Sequence, residues 1–472
     1  MKKYSQYILL TLALLLTAGL SGCENYFDLN ENPNLISNPP LNSLLSTTTQ
    51  KTALNSQSMA NITSYFVQYL ASPGSGGSTD TYQETDYTGT WDAIYYAMAD
   101  LTDMKRLADE QNAAEYAGVA NVLLAYHLNL IADSFGSGPF SAAFTGDPLI
   151  PPYDSEEEMY TTAMGLLDNA ITELSRTDSN IRLSAADDLI HQGNIAKWIK
   201  TAYALKARML NKISGQSAYN PQAVLAAVEK SYTSKADDAQ MSTFLLRNPW
   251  AQVARNNAAL VLNGWLSEQL VDHLNGTTYG VFDPRIEKIT DKTINDVYKG
   301  TVNGQGNVGG NNTVKDESYI SLNSPLTGDD SPLLIVTYAE MKMVEAEAAF
   351  RAGDRARAYA AYQEGIRAHM EKLQVAAAAI DGYLANPTVT PGAGALSLAL
   401  IFKEKYVVTY LNPEAWNDAR RFDYQYKDFT LPVNAALPTF IRRVAYPSAE
   451  LAENGQNVPD VGALSDELWW DK

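Results

Sequence analysis

Residues 333–372 read LLIVTYAEMKMVEAEAAFRAGDRARAYAAYQEGIRAHMEK, and no other segment shows its architecture so openly. Leu334, Tyr338, Met341, Val344 and Ala348 recur at helical spacing, which places them on one face of a helix. Gly353-Asp354 makes a tight turn, and Ala358, Tyr362, Gly365 and Ile366 stripe a second helix. Small residues at 358 and 365, with Tyr362 between them, suit two antiparallel helices at short range. Helices are therefore predicted to resume at Leu333.

The pair resembles a tetratricopeptide unit. Such a unit cannot bury its apolar face alone, so several should stack. The candidates lie near residues 91–130 and 155–213. In the first, Trp91, Tyr95, Met98 and Leu101 precede a strongly amphipathic run from Tyr116 to Leu130. In the second, Ser155 and Glu158 form a capping box ahead of an apolar stripe of Met159, Ala163, Leu166, Ala170 and Leu174. Trp198, Ala202, Leu205 and Met209 then share a face between Ile195 and Ile213, and Pro221 fits the first turn of the helix after it. Further helical patterns run from Leu41 to Leu70 and from Ile401 to Leu411.

Residues 237–332 differ in kind, being rich in Asn, Gly and Asp, with helical pieces only around Ala259 to Leu274. Gly304, Gly306 and Gly309 match the GxGxxG spacing, but neither the preceding strand nor the following helix that dinucleotide binding requires is present. A long polar excursion in a helical protein is either mobile or a binding surface. Aromatic rings pack on the C–H faces of sugars and on peptide side chains. The candidate ligand-binding residues on or beside loop-rich segments are Tyr82, Tyr87, Trp91, Tyr279, Tyr298 and Tyr319. For Trp91 the helical spacing to Tyr95 also suits a buried position.

The amino terminus sets the compartment. Lys2 and Lys3 precede an apolar run from Ile8 to Leu20, too short for a bilayer core of roughly 30 Å. Leu20-Ser21-Gly22-Cys23 looks like a lipobox, with Cys23, the single cysteine, as the acylated residue. The alternative is a plain secretory signal with an incidental thiol. Two or three acyl chains, at about 0.8 kcal/mol per buried CH2, make a stable anchor. The expected organisation is a signal over residues 1–22, an extended lipid-anchored leader over 23–40, and one helical body over 41–472. Asp28, Asn30, Asn32 and Asn34 alternate like calcium ligands, yet Pro33 stands where such a loop needs Gly and Pro39 where it needs Glu, so a tether is the better reading.

Composition excludes several classes. The net charge of −19 becomes −21 when Lys2 and Lys3 leave with the signal, a poor match to nucleic acid, whose binding rests on neutralised phosphates. One cysteine allows no disulfide and no thiolate metal cage. His127, His191, His273 and His369 are far apart and show no zinc spacing, so no metal or cofactor is expected beyond a covalent diacylglycerol or palmitate on Cys23. A surface glycoside hydrolase would need two carboxylates about 5–9.5 Å apart across a cleft. Glu340, Glu345 and Glu347 share one helix but belong to a packed pair, which favours salt bridges. No catalytic residue is assigned. A non-binding structural lipoprotein is the third class.

The ordered set of motifs resembles the SusD/RagB family of nutrient-binding outer-membrane lipoproteins. It comprises the lipobox cysteine with its Asn-Pro leader, Trp91 with Tyr95, Asp133-Ser134-Phe135-Gly136 with Pro139, and Ala346-Glu347-Ala348. It continues through Glu414-Ala415-Trp416 to Arg420-Arg421, and Arg442-Arg443 to Tyr446-Pro447 with Glu450 and Asn454. The resemblance implies a mainly α, SusD-like fold: a tetratricopeptide-like hairpin array, a right-handed superhelix, with a loop-rich insertion. It also implies a cell-surface position at the outer membrane and a SusC-like TonB-dependent transporter as partner. The cargo would be an oligosaccharide or an oligopeptide.

Overall fold

The computed structural model describes residues 39–259, 264–308 and 315–472. The signal, Cys23, the alternation from Asp28 to Asn34 and Gly309 lie outside the described residues. Helices α1 (Leu41–Phe66), α2 (Thr88–Glu110), α3 (Ala114–Ser134), α4 (Glu156–Leu174), α5 (Ile195–Lys212) and α6 (Pro221–Val228) follow one another, each packed on the next. Polar N-caps, worth about 1 kcal/mol each, fix many of the starts. Ser155 and Glu158 make the reciprocal capping box, Asn194 accepts from the Lys197 amide, and Asn220 caps a helix with Pro221 in its first turn.

The centre of the array is α3, buried on nearly every side, as a helix apolar all round must be. At Gly118 it comes so close to α4 that a Cβ would stand 2.5 Å from Leu174 Cγ. On α4 the buried stripe is Met159, Ala163, Leu167, Ala170 and Leu174. Leu167 takes the place expected for Leu166, because four-residue steps on both sides of Ala163 keep the stripe centred on α3.

The chain leaves the array after α6 and returns beside it at α10 (Tyr338–Arg351), which packs on α6, α5 and α11 (Arg355–Lys372). Gly353, at φ +84°, makes the turn, and Asp354 caps α11 through the Arg357 amide. A Cβ on Gly365 would meet Met343 Cε at 2.8 Å, so the short approach read from the sequence is real. Leu333, however, does not begin a helix. Residues Leu333–Val336 form β4, antiparallel to β2 (Ala239–Met241), with Ala239 opposite Val336 and Met241 opposite Leu333. Ile335 and Val336 favour the pleated backbone, and the helix starts only where Thr337 Oγ1 accepts from the Glu340 amide. This ribbon closes the excursion at its base.

Within the excursion lie α7 (Pro249–Ala258), α8 (Glu268–Asn275) and α9 (Ile286–Ile289). The pair β1 (Leu70–Ala71) and β3 (Trp265–Leu266) ties it to the end of α1. The chain finishes with α12 (Ala377–Leu384), α13 (Leu398–Val408), α14 (Glu414–Arg421), α15 (Ser448–Glu453) and a short 3-10 turn, Trp469–Asp471.

Buried ion pairs knit the array to α13 and α14. Arg208 donates twice to Glu340 at 2.7 Å, and Arg421 binds Glu347 at 2.8 and 3.0 Å and Asp418 at 2.6 Å. Asp418 also receives Lys405 at 2.8 Å, while Asp133 receives Lys212 and Asn417 at 2.5 and 2.7 Å. Glu345 pairs with Lys342 and Arg357. The three acidic residues of α10 are thus salt-bridged within the packed interior.

Candidate functional site

On the excursion, α8 begins at Ser267, whose hydroxyl accepts from the Gln269 amide, and ends at Gly276 in the left-handed conformation. Glu268 and Asp272, one turn apart, share a side of the helix. One flank is the extended segment 298–303, where the Glu268 amide donates to Thr301 O at 2.8 Å and Asn275 Nδ2 to Tyr298 O at 3.4 Å. The other is 427–433, where Gln269 Nε2 donates to Lys427 O at 3.1 Å and the Val433 amide to Asn303 O at 2.9 Å. Between them lies a polar cleft of about 70 Å³. Buried Gln68 and Gln269 line it together with exposed Glu268, Asp428 and Thr430 and the partly exposed Leu431 and Val433.

Two cleft residues hold backbones that side chains rarely adopt. Gln68, only 5% exposed, sits at φ +55° just past α1, where a helix end calls for Gly, and its Nε2 donates to Thr430 O at 2.6 Å. Asp428 lies at φ +60°. Such strain costs on the order of 1–3 kcal/mol per residue and gathers at binding and catalytic sites. Burial, then the neighbouring Asp272 and Glu317 carboxylates, raise the Glu268 carboxyl above its usual range, with Lys299 opposing. Burial, with Asp428 adding, does the same to Asp272 despite a hydrogen bond from Asn275. The face is acidic and rich in amide and hydroxyl groups.

The glycines of the GxGxxG spacing serve close backbone approach. A Cβ on Gly304 would fall 2.0 Å from Val433 O, and one on Gly306 2.6 Å from the Ser75 amide. Buried Asp80 clips the two loops together, accepting from the Gly304 amide at 2.7 Å, Asn303 Nδ2 at 2.5 Å and the Ser72 amide at 3.1 Å.

The six candidate aromatics are not gathered in one place. Tyr279 and Tyr298 flank α8: Tyr279 packs on His273 with Lys403 Nζ 4.9 Å from its ring centre, and Tyr298 lies 6.4 Å from exposed Phe282. Tyr87 is half-buried on the Gly-rich loop, its hydroxyl 3.0 Å from Thr79 Oγ1. Tyr319 rests 6.1 Å from Trp265 on the inner side of the excursion. Tyr82 is 1% and Trp91 3% exposed, the former against Phe66, the latter among Tyr95, Phe135 and Tyr446. Burial withholds both from a ligand in this conformation. No local pattern in the sequence marks Gln68, Glu268, Gln269, Asp428 or Thr430. Phe282 carries the same signal as Tyr279, an aromatic beside Gly280.

The four histidines are all buried, and among the described residues no group of three or more His, Cys, Asp or Glu is placed to hold a metal ion. Among the described residues no helix is long and apolar enough to cross a membrane.

The SusD-like family described as "Starch-binding associating with outer membrane" matches residues 33–447. The chain belongs to the SusD-like family. Its fold is that of solved SusD homologues. A SusD/RagB family protein from Bacteroides thetaiotaomicron is 21% identical, with a TM-score of 0.74 over 92% of this chain and 99% of that one. A SusD homologue from Bacteroides uniformis is 22% identical, with a TM-score of 0.76 over 91% and 99%. A chitin-binding SusD homologue from Flavobacterium johnsoniae is 21% identical, with a TM-score of 0.76 over 91% and 98%. No curated protein matches the sequence significantly.

Among the described residues, the SusD-like motifs from Asp133 onward prove to be structural. Asp133, Glu347, Glu414, Asn417, Arg420 and Arg421 belong to the buried polar lattice. Arg443 donates to Phe135 O, Tyr446 Oη to Ser137 O at 3.0 Å, and Asn454 Nδ2 to Pro151 O at 3.0 Å, pinning the loop between α3 and α4.

Proposed function

We propose that this protein is a cell-surface lipoprotein, held at the outer membrane through an acylated Cys23, that binds an oligomeric glycan on the α8 face and delivers it to a SusC-like TonB-dependent transporter. The observation that carries the reading is the polar cleft at the start of α8, strained at Gln68 and Asp428, with Tyr279, Tyr298 and Phe282 grouped around the other end of the same helix. Carboxylates, amides and hydroxyls match sugar hydroxyls, and the aromatic rings match their C–H faces. The acidic lining, with no Lys or Arg among the cleft residues, favours an uncharged glycan over a uronate or sulfate. A binding role is supported over hydrolysis because Glu340, Glu345 and Glu347 are committed to Arg208, Lys342, Arg357 and Arg421.

Differential scanning fluorimetry against neutral, amino and acidic oligosaccharides, with oligopeptides alongside, tests this. A ligand at 100 times its Kd should add about 2.7 kcal/mol of apparent stability, with no new reducing ends. Silence across the glycans, or catalytic cleavage, rejects the reading; a response to peptides alone reassigns the cargo.

The anchor has its own test. Cys23→Ala should move the protein from the membrane to the soluble fraction with unchanged circular dichroism, and metabolic labelling with a palmitate analogue should mark only the parent. Retention of Cys23→Ala in the membrane fraction would contradict the tether.

A further inference from the structure

A second, roomier cleft lies between the segments 439–442 and 465–467, with a volume of about 670 Å³, within the range of ligand sites. It is lined by Thr439, Phe440, Arg442, Ser465, Asp466 and Glu467, with Asp423 and Lys472 completing it. Its walls are fastened together, for the Arg442 and Arg443 amides both donate to Leu464 O, at 2.8 and 3.1 Å. Phe440 cannot turn away from the opening, because it stacks on Tyr424 with ring centres 4.5 Å apart and planes 18° apart. Tyr424 is itself clamped, receiving Trp416 Nε1 at 2.8 Å and donating to Ile441 O. Arg442 is held by Asp471 at 2.7 Å and by Asp423, and Asp466 Oδ2 by the Ala463 amide at 2.9 Å.

We infer that this cleft is a second carbohydrate subsite, taking a neutral sugar ring stacked on Phe440 with its hydroxyls met by Thr439, Ser465 and Glu467. The inference rests on the glycan reading of the α8 cleft. A fixed aromatic platform beside fixed polar groups pays little ordering cost when a ring lies down on it. The guanidinium of Arg442 is already neutralised by Asp471 and Asp423, and Lys472, the other cation of the lining, is outnumbered by Asp423, Asp466 and Glu467, so the balance disfavours a uronate or sulfate. Val433 lines the first cleft and Thr439 the second, so five residues lie between them and the span is at most about 22 Å when extended. One oligosaccharide reaching both gains affinity by avidity without any new contact.

The test is titration calorimetry of the full body with maltoheptaose, laminariheptaose, cellohexaose and chitohexaose, on the parent and on Thr430→Trp, Thr439→Trp and the double variant. Both threonines are exposed, so each indole fills a cleft without entering the core. For the probe that binds, Thr439→Trp should weaken affinity about tenfold, and Thr430→Trp should leave a residual site that the double variant removes. Complete loss in Thr430→Trp alone, or parent-like affinity in Thr439→Trp, overturns the second subsite and leaves the first intact. No binding of any probe by the parent overturns both.

Discussion

Arg421→Ala is expected to cost about 3–5 kcal/mol of folding stability, seen as a collapse of the urea midpoint. Arg421 is the hub at which α14 meets α10: its guanidinium bridges Glu347 and Asp418, and it also donates to Ser214 Oγ at 2.7 Å. Burial alone would push the Glu347 carboxyl up, but Arg421, with Arg351 and Lys405, holds it well below the usual carboxylate range. Removing Arg421 leaves two buried carboxylates short of their main cation, and the desolvation cost already incurred goes unanswered. Arg421→Lys should rescue little, because one ammonium cannot reproduce the planar fork that reaches both acids. Replacing Arg421, Glu347 and Asp418 together by apolar residues of similar volume should recover part of the loss. A decrease below about 1 kcal/mol in Arg421→Ala would show that the lattice is not a source of cohesion.

Acidification should destabilise the protein steeply below the ordinary histidine pKa. Burial pushes His127 down to about 4 and His191 to about 3, and puts His273 and His369 well below their usual value. Folded pKa values beneath the unfolded one mean that the native state keeps these rings neutral while the unfolded chain takes up protons. Their contribution is complete above about pH 6.5 and is lost as pH falls, at about 1.4 kcal/mol per pH unit for each ring. Glu414 runs the other way. Burial, resisted by Arg208 and reinforced by Asp418 and Glu340, raises it to about 7. Its stabilising proton is fully held below the unfolded carboxylate value and is lost as pH rises through 7, so it offsets one histidine. From these five groups, unfolding between pH 6 and 5 should therefore take up about three protons. A urea midpoint flat from pH 7 to 5 would contradict this, and His369→Gln should reduce the slope.

Much of the array is legible because its signals are local. The stripes of α10 and α11, the turn at Gly353-Asp354, the Ser155 capping box and Pro221 at the start of α6 each need only a few neighbouring residues. The strand at Leu333–Val336 is missed because its partner lies near residue 240, and an isolated apolar run of that length has no period of its own. The α8 cleft is illegible for the same reason made larger. It draws on Gln68, Glu268, Asn303 and Asp428, brought together by left-handed turns that no spacing announces. The motifs that betray the family report the ion lattice and the loop fastenings, so they fix the fold and say nothing of cargo.

The ribbon joining Ala239–Met241 to Leu333–Val336 turns the excursion into a cassette. Its two ends enter and leave side by side, and the neighbouring helices, Pro221–Val228 and Tyr338–Arg351, touch each other directly across the junction. The halves of the scaffold are thus joined directly at the junction, and the insert is fastened to them separately, through β1–β3 and the buried Arg285–Glu404 pair. On the proposed glycan-binding reading, exposed residues of the insert such as Glu268 can change while the frame beneath keeps its footing.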